Sequence, residues 1–119
     1  MRFLGLVLVI AGFLFFGSCT DEPEQDEFQI GFVQAMTTDN WRKEMNRAME
    51  VEASMHPGYK LHIKDAQNDV SRQIKQIEVF ISTEVDVLIV SPIQSVPITP
   101  VIEKAMNAGI PTIVIDRKI

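Results

Sequence analysis

From Phe28 onward the chain alternates between two textures, and this alternation restricts its fold more than any other feature. Short runs of β-branched and aromatic residues, FQIGFVQA at 28–35, YKLHIKDA at 59–66, VDVLIVS at 85–91 and IPTIVID at 110–116, are separated by longer stretches with apolar residues three or four apart. Strand and helix in regular succession are the pattern of βαβ units, in which crossover helices join parallel strands. Right-handed crossovers then build an α/β fold, a doubly wound parallel sheet in the order 2-1-3-4.

The helices have readable ends. The first is predicted over 41–55, with Trp41, Met45, Ala48, Met49 and Met55 near one stripe, Asp39 or Asn40 as N-cap, and His56-Pro57-Gly58 as its stop. In the second, Val70, Ile74, Ile77 and Ile81 recur at helical spacing behind Asn68 or Asp69. The third starts between Pro97 and Pro100, either of which suits a first helical turn, and ends with Gly109 at its C-cap. The strict alternation of Tyr59, Leu61 and Ile63 with Lys60, His62 and Lys64 places the second strand near the sheet edge. The unbroken apolar third strand reads as central and buried on both faces.

The N-terminus has a different character. Arg2 opens an apolar or glycine run from Phe3 to Phe16, and Gly17-Ser18-Cys19 follows, a basic, apolar and small-residue succession that reads as a secretion signal. The run is short for a membrane span, which needs about 20 apolar residues. FFGSC resembles a bacterial lipoprotein box, which makes Cys19 the expected lipid acceptor; an uncleaved signal anchor is the competing reading. The acidic TDEPEQDE after it reads as a solvated tether and resembles the export tag of some surface lipoproteins. The expected domains are a signal peptide and lipobox over 1–19, a tether over 20–27 and the α/β unit over 28–119. The expected location is the cell envelope, periplasmic or surface-exposed and lipid-anchored. With one Cys, no intrachain disulfide forms. A net charge of -5 with scattered Lys and Arg argues against a nucleic-acid partner.

In such a sheet the ligand sits beyond the carboxyl ends of the strands, where the strand order reverses. Those ends are Met36 to Arg42, Asp65 to Asp69, Ser91 to Ser95, and Asp116 to Lys118. QAMTTDNW has no glycine between strand and helix and so offers no close backbone approach to a pyrophosphate. SPIQ stands where a phospho-acceptor domain needs an Asp. No metal-ligand spacing and no nucleophile with its base can be assembled, so neither an enzyme nor a cofactor is expected. The rim does offer Asp39, Trp41, Arg42, Asp116 and Arg117, a set that suits a polyol. Carboxylates accept from hydroxyls, guanidinium groups donate, and an indole covers the apolar face of a sugar ring. Two bland readings stand beside this one: Trp41 as helix core, and Asp116-Arg117 as a turn ion pair.

With IGFVQAMTTDNW, DAQNDVSRQIKQIE, VDVLIVSPIQS and AGIPTIVIDRKI in view, the chain from Phe28 onward resembles the N-terminal lobe of a type I periplasmic sugar-binding protein, the family of ribose-binding proteins whose fold the lac-repressor core shares. GIPTIVIDR is its strongest single motif. The resemblance implies that Asp116 and Arg117 hold sugar hydroxyls and that Trp41 stacks on the ring. Asp39 falls where the ribose-binding type often has Asn, and Arg42 replaces a second aromatic, departures that imply a different sugar or one bearing negative charge. It also implies two lobes closing on a monosaccharide, of which this chain would be most of one, within a longer protein. Delivery to an ABC permease is then expected. DNWRKEMNRAM is more similar to the periplasmic sensing regions of hybrid two-component histidine kinases, which makes a sensor the alternative.

Overall fold

The computed structural model describes residues 26–119, so the expected signal peptide, the lipobox with Cys19 and most of the tether lie outside the described residues. Seven elements follow in strict alternation: β1 (Phe28–Gln34), α1 (Asn40–Ser54), β2 (Tyr59–Asp65), α2 (Val70–Ser82), β3 (Val87–Val90), α3 (Ser95–Asn107) and β4 (Thr112–Val114). The strands form one parallel sheet in the order β2-β1-β3-β4, the topology expected from the alternation. Register runs Ile30 against Leu61 and Val87, and Ile89 against Ile113.

Helices α2 and α3 cover one face of the sheet. Val33, Leu88 and Val90 point into this side and pack with Ile77, Phe80, Ile98, Val101, Ile102 and Ala105 as the main core. Gly31 is required here, because a Cβ on it would stand 2.9 Å from the Phe80 ring. The opposite face is thinner. Among the described elements only α1 lies there, and none of its residues is buried. Val87 and Ile89 are therefore only partly covered, so the third strand is buried on one face rather than on both as its composition suggests.

Two boundaries and one buried helix face depart from the sequence expectation. The fourth strand is Thr112–Val114, shorter than IPTIVID, because Pro111 has no N–H for the ladder and Asp116 takes a left-handed backbone at φ 71°. Helix α3 begins at Ser95, ahead of both prolines. Pro97 falls in the first turn, where an N–H has no helical partner, and Pro100 lies inside the helix, where its missing bond would have gone to Val96, which is 84% exposed and open to water. In α2 the buried residues are Gln73, Ile77 and Phe80, while Val70, Ile74 and Ile81 of the expected stripe flank the core. Asp69 caps α2, accepting from the Arg72 N–H.

Candidate functional site

The floor of the rim is a small apolar cluster of Ala35, Ala66 and Ile93, with Val70 packed on it, at the carboxyl ends of β1, β2 and β3. Short connections fix these ends to each other. The Asn68 N–H donates to the Ala35 carbonyl at 2.9 Å, and Ser91 N–H donates to Val33 O at 3.0 Å. Thr37 donates its hydroxyl to Asp65 Oδ2, and the Gln67 N–H donates to Asp65 Oδ1 at 2.7 Å, so Asp65 staples the β1 and β2 loops.

Asp39 is the N-cap of α1. Its backbone is extended, and Oδ1 accepts from the Arg42 N–H at 2.8 Å, satisfying a helix N–H that has no partner within the helix. Its second oxygen accepts from Arg42 Nη1, also at 2.8 Å. These bonds from the Arg42 backbone and then from its side chain hold the Asp39 carboxyl below the usual range. Arg42 in turn donates through Nη2 to Asp116 Oδ2 at 2.7 Å. The hydrogen bond to Asp39, helped by the charges of Asp39 and Asp116, raises the Arg42 pKa further against the opposing effect of burial. One guanidinium thus joins the start of α1 to the end of β4.

Trp41 is 54% exposed, which removes it from the core. The Arg42 guanidinium carbon lies 5.3 Å from the centroid of its ring, within cation–π range. The Arg117 N–H donates to Ile115 O at 2.9 Å across Asp116, closing a γ-turn at the left-handed residue. The Arg117 side chain donates through Nη1 to the Ile93 carbonyl in the β3–α3 loop. Asp116, Arg117 and Lys118 also line a surface groove of about 380 Å³. The structure therefore joins Asp39, Trp41, Arg42 and Asp116 through Arg42, while Arg117 rests on the neighbouring loop. The Asp116-Arg117 turn ion pair does not form: Asp116 pairs with Arg42.

One supporting residue escapes sequence reasoning. Gln73 is fully buried, donates to Ser91 O at 2.9 Å and accepts from the Ile93 N–H at 2.9 Å. It fixes the loop that Arg117 docks on. The only sequence signal is a polar residue beside an apolar stripe, which ordinarily means exposure. Among the described residues no three His, Cys, Asp or Glu side chains come together as a metal site. Among them, too, no helix is long and apolar enough to cross a membrane.

The sequence profile of the periplasmic binding protein domain matches residues 30–119. The chain belongs to this family. It is 32% identical over 124 residues to the ribose import binding protein of Bacillus subtilis, an alignment covering 96% of this chain and 40% of that protein. Among solved structures it is similar to the fructose-binding periplasmic domain of a hybrid two-component system, at 39% identity and a TM-score of 0.75, over 78% of this chain and 31% of that one. It is also similar to the arabinose ABC transporter's periplasmic binding protein from Shewanella sp. ANA-3, bound to L-arabinofuranose, at 34% identity and a TM-score of 0.71, over 76% and 30% of the two chains. The chain spans about two fifths of the length of that Bacillus relative and less than a third of those structures. Its sheet is a partial lobe of the periplasmic-binding-protein fold.

Proposed function

We propose that this partial lobe belongs to an extracytoplasmic solute-binding lipoprotein, which takes a monosaccharide or related polyol between two lobes and delivers it to an ABC-type transporter without chemistry. The observation that carries the reading is the Asp39–Arg42–Asp116 bridge beside the exposed Trp41, placed where the strand order of the sheet reverses. Carboxylate oxygens there accept from hydroxyls, Arg117 donates through the nitrogens it does not give to Ile93, and the indole offers an apolar face. A charged hydrogen bond is worth about 1.5–3 kcal/mol, so a few of them support micromolar binding after association costs. Sugar-binding relatives support the ligand class, and their being binding proteins supports a role without catalysis. The test is calorimetry of the intact protein against a monosaccharide panel that includes D-ribose, D-fructose and L-arabinose. Asp116→Ala is expected to abolish the heat of binding while circular dichroism shows the fold retained, and unchanged affinity would remove Asp116 from the site.

A second reading rests on the similarity to a hybrid two-component system: lobe closure would bias a signalling equilibrium instead of handing over cargo. The coding sequence downstream separates the two. A second lobe and a stop codon support transport, whereas a membrane span followed by a kinase core supports sensing. For the proposed anchor, radiolabelled palmitate should enter the wild type and be lost in Cys19→Ser, and label retained by the variant rules the anchor out.

A further inference from the structure

We propose that Arg42 is the specificity-determining residue of this rim, and that it acts as a positioning residue, tying Asp39 and Asp116 into one oriented acceptor edge that admits uncharged hydroxyls and turns away sugar acids and sugar phosphates. The inference rests on the sugar-binding reading above and adds the charge class of the ligand.

In the sheet β3 lies between β1 and β4, so a side chain that starts on α1 and ends on Asp116 crosses the carboxyl end of β3. That is the position a ligand at the switch point would occupy. Arg42 gives one terminal nitrogen to each carboxylate, its side chain is only 14% exposed, and Nε is buried without a hydrogen-bond partner. A free guanidinium at this place would present a fork matched to a carboxylate or phosphate. Here the fork is already occupied by two acids of the protein.

The charges follow from the same geometry. Asp39, Asp116 and Arg42 sum to minus one, and the neighbouring Arg117 brings the four groups to zero, with exposed Lys118 beyond them. Each terminal nitrogen of Arg42 already faces a carboxylate of the protein, so an incoming anion would have to displace Asp39 or Asp116 to use that fork. A hydroxyl meets no such penalty, because it donates to Asp116 Oδ1, which has no partner among the described residues, and accepts from Arg117. The left-handed backbone of Asp116 adds to the case. It is a conformation that non-glycine residues rarely hold, and the bond to Arg42 restrains the carboxylate of the residue that holds it.

The experiment compares neutral and anionic partners on the intact protein: D-fructose with fructose 6-phosphate, D-ribose with ribose 5-phosphate, and D-galactose with D-galacturonate. The wild type should bind at least one neutral sugar and bind its anionic partner at least a hundredfold more weakly. Asp39→Asn should narrow that ratio at least tenfold by releasing one arm of the Arg42 fork; Asn also caps helices, so the fold is retained. Arg42→Gln should weaken the neutral sugar at least tenfold without improving the anion, and Arg42→Lys should keep the preference while losing part of the affinity. A purely structural Arg42 would move both partners equally. A ratio that does not change in Asp39→Asn, or a wild type that prefers the anion, overturns the proposal and leaves sugar binding standing. If no sugar in the panel binds, both readings fall.

Discussion

Asp39 serves two purposes with one carboxylate, capping α1 and pairing with Arg42, and its titration follows from both. Because its folded-state pKa lies below the usual value near 3.8, its contribution is complete at neutral pH and is lost as pH falls through the folded value. Acid unfolding followed by circular dichroism should therefore show stability falling below about pH 4, with a shallower fall in Asp39→Asn. Glu44, lowered in the same direction by Arg47, is exposed and stays in both proteins, so the difference between them reports Asp39. At this scale the sequence is informative about which residues stand on the rim, since strand ends and capping chemistry place Asp39, Trp41, Arg42 and Asp116 there. It is silent about who pairs with whom. Arg42 and Asp116 are 74 positions apart, and only the crossover past β3 brings them together.

The elements were legible wherever a period was long and uninterrupted, as in α1, β1 and β2, and misread where a local rule gave way to packing. Gln73 is the clearest case, since a polar side chain enters the core only because two backbone groups, Ser91 O and the Ile93 N–H, await it there. Gln73→Leu leaves both unpaired and is expected to cost about 1–3 kcal/mol in urea unfolding. Because Arg117 rests on Ile93 O, the same variant should also weaken sugar binding, which a change in the core alone would not do. Gly31 carries the complementary lesson. Its sequence context is an ordinary strand, yet the Phe80 ring fills the space of a side chain. Gly31→Ala should destabilise by about 1–3 kcal/mol through overpacking, and Phe80→Leu should recover part of that loss in a double-mutant cycle.

At the scale of the whole lobe, the two faces of the sheet are unequal, and this has a measurable consequence. The side packed by α2 and α3 holds nearly all of the fully buried apolar residues, while the α1 side leaves a groove of about 570 Å³ whose walls include Ile30, Met49, Leu61 and Ile89. By register Ile113 lies on this same side, next to Ile89, and it is 50% exposed on a strand whose outer edge has no partner among the described residues. An apolar half-covered face beside an open parallel edge is a template for association with any similar surface. A polypeptide of residues 26–119 alone should thus sediment as a concentration-dependent mixture of monomer and larger species. Ile113→Lys, which puts a charge on both the face and the edge, should shift that mixture toward monomer, while the exposed Val96, at 84% but on α3 and so on the opposite side of the sheet, should have no effect when changed to Lys. A single monomeric boundary at every concentration for the unsubstituted piece would mean that α1 covers the face better than its unburied residues indicate.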